Sequence, residues 1–406
     1  MPASHLFTWL IAALATAGVI LRPRKWPEAI WAVAGALLLV VTGLLPASHA
    51  AQAVARGGDV YFFLLGMMLL AELGRQFGVF DWLADWTLTR AQGSSARLFR
   101  DLYLLGTVVT IFLSNDATAV VLTPAVLTVT RKARVHPLPY LFACAMIANA
   151  ASFVLPISNP ANLVLYGGHM PALFPWLQRF LLPSLASILA TYFCLKACFQ
   201  LGDSPAIPKQ RTPLRGAGRL TLGGILLTGL ALLLVSALDY PLGLPTCLLG
   251  LLTTAVVLAA TRTSPAPILK SVAWSALLLV AGLFVLVESL SYTGAVTTLA
   301  ASLPSSPLLA GSLLAVACNC FNNLPVGLLT SLVVAAAHPS QRMVDSLLIG
   351  LDLGPNLAVT GSLATILWLA ALRREGQEVR FSQFLQVGLK VMFPALLLAL
   401  LFRQVC

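Results

Sequence analysis

The sequence predicts an all-α polytopic membrane protein of two inverted repeats, each with five transmembrane helices and a re-entrant helical hairpin, ten spans in all. Three observations predict it. The chain of 406 residues is 59% hydrophobic and 10% charged, whereas a soluble domain carries about 25% charged residues; it lacks the polar surface to face water all round. Two short polar blocks, at 114–116 and 318–323, interrupt apolar stretches. Two other apolar stretches break at proline and asparagine, around 156–162 and 352–356.

The formal net charge is +11, from 25 Lys and Arg against 14 Asp and Glu. In a soluble protein that excess would suggest nucleic acid; in a membrane protein it reads as loop asymmetry, and no nucleic-acid partner is expected. The seven cysteines lie mostly inside apolar stretches, show no CxxC pair, and read as small buried hydrophobes. No basic stretch precedes the first apolar run, so that run is expected to be a retained span, not a cleaved leader.

A membrane-crossing helix needs about 20 apolar residues. In the first repeat, 1–200, stretches 6–21, 30–45 and 60–73 are candidate spans. Residues 80–89 place Trp82 and Trp86 on a short amphipathic helix expected at the membrane surface. The runs 102–113 and 117–130 are each too short to cross alone. Arg97 and Arg100 precede them and Arg131, Lys132 and Arg134 follow; basic residues at both bases suit a hairpin of about 102–130 that enters and leaves by one side. A single long helix would strand those basic clusters on opposite faces. The apolar run from 138 breaks at Pro156, Ser158, Asn159, Pro160 and Asn162, where no regular helix continues. In lipid, broken backbone persists only where it lines a cavity. A span at 174–199 closes the repeat.

Residues 201–218, polar, basic and proline-rich, are the expected cytoplasmic linker. The second repeat, 219–406, offers spans at 220–238, 242–260 and 272–290, a split pair forming a hairpin of about 308–337, a run from 344 to 372 broken at Asp352, Gly354, Pro355 and Asn356, and a last span at 384–402. Anchors match between the halves: Gly66 and Glu72 with Gly282 and Glu288, Ser114 and Asn115 with Asn322 and Asn323, and Asn162 and Gly167 with Asn356 and Gly361. Both glutamates are expected to pair locally. An odd number of spans per half makes the halves insert in opposite senses.

With both termini outside, most Lys and Arg fall on the cytoplasmic side. Arg56, Arg179, Arg342 and Arg403 fall outside, and Lys390 lies within the last span. This satisfies the positive-inside rule and places the chain as a multi-pass protein of a bacterial-type inner membrane.

The hairpin tips and breaks are expected to converge near the midplane, offering Ser114, Asn115, Asp116, Asn159, Asn162, Asn322, Asn323, Asp352 and Asn356. Open helix ends add N–H donors and C=O acceptors. The set holds amides, hydroxyls and two carboxylates, with no Lys, Arg or His. It is poorly matched to a multiply charged anion and suits a small neutral polyhydroxy solute or a metal cation. Burial moves a carboxylate's pKa toward neutrality, so Asp116 and Asp352 are candidate proton carriers; capping a helix is the alternative for Asp116, and positioning its broken helix for Asp352. The asparagines serve either the solute or the broken backbone. Cys318 and Cys320 are soft-ion ligand types, but residues two apart on a helix face different directions. No cofactor fingerprint, nucleophile elbow or P-loop occurs, so the chain is expected to be a secondary transporter and not an enzyme.

These residues resemble the arsenite efflux membrane protein family, ArsB, of the ion transporter superfamily, nearly end to end. The specific part is Ile349, Gly350, Leu351, Asp352, Leu353, Gly354, Pro355 and Asn356, followed by Gly361, Ser362, Leu363, Ala364 and Thr365. The hairpin asparagines and the Ser158-Asn159-Pro160 turn are shared more widely in the superfamily. The resemblance implies export of trivalent arsenic and antimony hydroxides in exchange for protons, a scaffold with a mobile transport domain and, in some relatives, a separate soluble ATPase. The Cys318 and Cys320 pair has no counterpart in the family pattern. A sodium–proton antiporter on the same scaffold is the alternative, with Asp116, Ser114 and amide oxygens holding a hard cation.

Overall fold

The computed structural model describes residues 3–167, 170–202 and 213–405. Among them every regular element is helical. Six helices are long and apolar enough to cross a membrane: Ala3–Leu21, Leu173–Cys198, Gly216–Ala237, Gly243–Thr261, Trp274–Tyr292 and Phe381–Val405. Ala47–Arg56 and Gly58–Gln76, bent by 46°, make a seventh when taken as one span. Glu28–Val41, Leu138–Ala150, Pro307–Phe321 and Asn323–Ala337 are apolar but shorter. Leu226, Leu227, Leu230 and Leu234 point out of the bundle, as a lipid-facing surface requires. Much of the expected linker, residues 203–212, lies outside the described residues.

Small residues decide which long helices touch. Gly58–Gln76 lies along Gly243–Thr261, and Glu28–Val41 along Trp274–Tyr292. A Cβ added at Gly66 would sit 2.3 Å from the Thr246 carbonyl oxygen, and one at Gly282 would sit 2.8 Å from the Ala32 backbone. Backbones meet this closely only where side chains are absent, and in a membrane such packing replaces the missing hydrophobic drive. Leu173–Cys198 runs beside Phe381–Val405.

Two helical hairpins are present. The first joins Ser95–Phe112 to a continuous helical run over 115–133. It extends further at its base than the expected 102–130, because Ser94 caps the first arm by accepting from the Arg97 N–H at 3.3 Å. Its second arm widens to a π turn at Thr118–Leu122, just before Pro124, which has no N–H for the preceding turn. The second hairpin joins Pro307–Phe321 to Asn323–Ala337. Lys132 Nζ donates to both carboxylate oxygens of Asp85 at 2.8 and 2.9 Å, tying the first hairpin's base to Val79–Ala91, the amphipathic helix read from the sequence.

Two helical runs are broken. Leu138–Ala150 gives way to a turn, a 3-10 helix at Pro156–Ser158 and the helix Pro160–Tyr166. Gln341–Leu353 gives way to 3-10 turns at Gly354–Asn356 and Val359–Gly361, then the helix Leu363–Arg374. Each post-break helix packs on the second arm of the hairpin from the other half of the chain.

Glu72 pairs with Arg75. Glu288 pairs with Arg56 at 3.0 Å and meets His49 at 3.5 Å. Arg403 is not a free outer charge: it is buried and donates to Asp345 Oδ2 through Nε at 2.9 Å and a second nitrogen at 2.6 Å. Tyr166 and Gln341 donate to the other Asp345 oxygen at 3.2 and 2.8 Å.

Candidate functional site at the hairpin tips and helix breaks

Both hairpin tips hold a polar residue in strained backbone. Ser114 has φ 136°, ψ 164° and Asn322 has φ 69°, ψ 148°. Such conformations, open chiefly to glycine, cost about 1–3 kcal/mol and cluster at functional sites. Each strained residue then caps the arm that follows. Ser114 Oγ accepts from the Ala117 N–H at 3.4 Å, and Asn322 Oδ1 accepts from the Leu324 N–H at 3.2 Å.

The residues beyond the caps are buried except Asp116. Asn115 Oδ1 accepts from the Asp116 N–H at 2.9 Å. Asn323 is buried in the first turn of its arm. Asp116 is only partly buried, and its carboxylate bonds to no described residue.

The breaks are built from asparagine. Asn159 sits in extended backbone, accepts from the Ala161 N–H at 3.0 Å and donates to Asp352 Oδ1 at 2.8 Å. Asn162 donates toward three carbonyls its break exposes, those of Ser152, Pro156 and Leu155, at 3.0, 3.3 and 3.4 Å. Asn356 donates to the Met146 carbonyl at 2.9 Å and accepts from Asn149 Nδ2 at 2.9 Å. The two broken runs are thus bonded to each other three times, by Asn159 with Asp352, by Asn149 with Asn356 and by Asn356 with the Met146 carbonyl.

The hairpins join the same network. Ser158 Oγ donates to the Ile111 carbonyl at 2.9 Å, holding the first break against the first hairpin. Asn319 clamps the second break. Its side chain donates to the Gly354 carbonyl at 2.9 Å and accepts from the Ala358 N–H at 2.9 Å. Thr360 donates back to the Asn319 carbonyl at 2.9 Å, and Asn322 donates to the Thr360 carbonyl at 3.2 Å.

One sequence inference changes. The anchor pairing of Asn162 with Asn356 does not hold, because Asn356 precedes the extended cap of its break and Asn162 follows it. By position in the fold, Asn159 corresponds to Ser362, both extended and both capping the post-break helix, and Asn162 corresponds to Thr365. Asn149, Asn319 and Thr360 were not singled out, and Ser158 was read only as part of its break. The spacing from Asn149 to Asn159, which matches that from Asp352 to Ser362, was the signal available for Asn149. Cys318 is buried, with Sγ 3.8 Å from the Leu351 carbonyl, while Cys320 is exposed. Among the described residues no three His, Cys, Asp or Glu side chains gather as metal ligands would.

Broken helices, strained hairpin tips and a buried polar network within an apolar bundle are the features of a membrane transporter. The chain belongs to the CitMHS family, described as citrate transporter, whose family model matches residues 11–354. It is 27% identical over 371 residues to an uncharacterized transporter of Mycobacterium bovis, covering 85% of each chain. It is 24% identical over 408 residues to the arsenical pump membrane protein of Escherichia coli, covering 94% of each. With the arsenical pump membrane protein of Yersinia enterocolitica it shares 26% identity over 362 residues and 83% of each chain. It also shares the fold of the YdaH transporter of Alcanivorax borkumensis, with a TM-score of 0.58 and 15% identity over 88% of this chain and 86% of that one.

Proposed function

We propose that this chain exports trivalent arsenic and antimony hydroxides across the inner membrane in exchange for protons. The observation that carries this reading is the chemistry of the tips and breaks, where every polar side chain assigned is an amide, a hydroxyl or a carboxylate. Citrate, named in the family description, carries several negative charges and needs fixed cations to replace its water. A neutral trihydroxide needs only hydrogen-bond donors and acceptors, which Ser114, Asn115, Asn322 and Asn323 supply. The names of the Escherichia coli and Yersinia relatives support the same choice. Asp116 and Asp352 are the carboxylates available for proton coupling.

The fold suits ten spans in two repeats of opposite orientation, residues 1–200 and 219–406, with both termini outside. Supporting this are the two capped, strained tips, the two breaks ending in extended caps, and helix pairs that exchange partners between halves. In this reading, protons and the lipid bilayer are the chain's partners, and a separate soluble ATPase is a candidate further partner.

The test is arsenite accumulation in everted vesicles with an acid-inside pH gradient and no sodium, with Asp116→Asn as the comparison. Accumulation that collapses with the gradient supports antiport. No accumulation, but sodium-induced alkalinisation of the lumen, replaces it with sodium–proton exchange.

A further inference from the structure

Three oxygens on the two breaks have no bonding partner among the described residues: Asn149 Oδ1, Asn162 Oδ1 and Asp352 Oδ2. All three residues are fully buried. The amide orientations are fixed by what their nitrogens do. Asn356 must present its nitrogen to the Met146 carbonyl, so its oxygen faces Asn149, and Asn149 must answer with its own nitrogen. Its oxygen is left over. Asn162 turns its nitrogen to three backbone carbonyls, so its oxygen is left over too. Asn159 accepts from a backbone N–H and therefore gives its nitrogen to Asp352 Oδ1, leaving Oδ2.

The three leftover groups are all acceptors, on adjoining turns. Ser152 connects them: it donates to the Asn149 carbonyl at 2.7 Å, its own carbonyl accepts from Asn162, and its hydroxyl faces the Asp352 carboxylate. A buried acceptor without a donor costs about 1–3 kcal/mol. Asn149, Asn159 and Asn356 each carry a second amide N–H, but none of these bonds to the three oxygens. Among the described residues, the Cys318 thiol of the second hairpin lies near enough to Asp352 to feel its charge; Asp345 and Arg403 pair with each other.

We infer that Asp352 Oδ2, Asn149 Oδ1 and Asn162 Oδ1 form the site that carries the exchanged proton in hydrated form, separate from the hairpin tips that hold the solute. This rests on the antiport reading and divides its two carboxylates. Asp352 takes the proton; Asp116, unpartnered and only partly buried, serves the solute. One proton with one water supplies the donors all three oxygens need: the carboxylic O–H donates to the water, and the water donates to both amides. The Asn159 bond holds Oδ1 as the acceptor, so the proton goes to Oδ2. Asn149 belongs to one half and Asp352 to the other, so loading this site alters a contact across the two breaks.

The experiment compares arsenite exchange, which needs no net proton movement, with gradient-driven uptake in liposomes, using Asp352→Asn, Asn149→Ala and Asp116→Asn. Asp352→Asn keeps exchange but loses driven uptake about tenfold or more, while Asp116→Asn loses both. Asn149→Ala removes one acceptor from the loaded site, so half-maximal driven uptake moves toward acid by about one pH unit. Driven uptake that survives in Asp352→Asn overturns the assignment. The second readout needs no transport: pH-difference infrared spectra of the purified protein carry a carboxylic acid C=O band that Asp352→Asn abolishes and Asn149→Ala shifts. If native protein moves no arsenite, the antiport reading falls, and the band still decides whether Asp352 is protonated. A titrating band that persists in Asp352→Asn and vanishes in Asp116→Asn moves the proton to the tip.

Discussion

Asn159 Nδ2 lies 2.8 Å from Asp352 Oδ1, a hydrogen bond between residues nearly half the chain apart that fastens the break of one half to the break of the other. The same asparagine caps the helix after its own break through the Ala161 N–H. One side chain therefore does two structural jobs in a place where neither backbone can satisfy itself.

Asn159→Ala removes both. A lost cap costs about 1 kcal/mol, and stranding a buried carboxylate oxygen adds about 1–3 kcal/mol. The variant should lose stability by a few kcal/mol, read as a lower melting temperature in detergent. A melting temperature equal to that of the native protein would show that the bond holds nothing together.

At the tip of the second hairpin the backbone, not only the side chain, sets the outcome. Asn322 has φ 69°, where glycine fits freely and alanine does not. Asn322→Gly loses the cap but relieves strain, so its stability should stay within about 1 kcal/mol of native. Asn322→Ala loses the cap and the bond to the Thr360 carbonyl without relieving the strain, and should cost about 1–3 kcal/mol. Equal stabilities for the two variants would contradict a strained tip.

The buried pair Arg403 and Asp345 predicts a rescue. Arg403→Met leaves Asp345 buried without its cation, which typically costs about 3–5 kcal/mol. Adding Asp345→Leu removes the stranded charge and should recover most of that loss, since a buried pair is often replaceable by apolar residues. Thermal denaturation of the single and double variants measures it. A double variant no better than Arg403→Met would mean that Tyr166 and Gln341, not the charges, make this contact.

Cys318→Ser and Cys320→Ser together should leave arsenite export within about twofold of native, because one thiol is buried and the other exposed, and among the described residues no third ligand joins them. Export lost in a well-folded double variant would make arsenic–sulfur ligation part of the mechanism.

Much of this protein was legible in the chain. Apolar length and scarce charge gave the membrane class, and proline with asparagine gave both breaks. The polar blocks at Ser114 and Asn322 marked the tips, because each such feature is local and costly in lipid unless it serves a purpose. Two things were not legible. The correspondence of Asn159 with Ser362, not of Asn162 with Asn356, depends on which side of an extended cap a residue falls, a backbone property that residue type does not encode. Arg403 read as an outer charge, and Asn149 read as one more residue of an apolar helix. Only folding brings Asp345 to the one and Asn356 to the other, since a buried polar group takes its role from the partner that tertiary packing puts within hydrogen-bond reach.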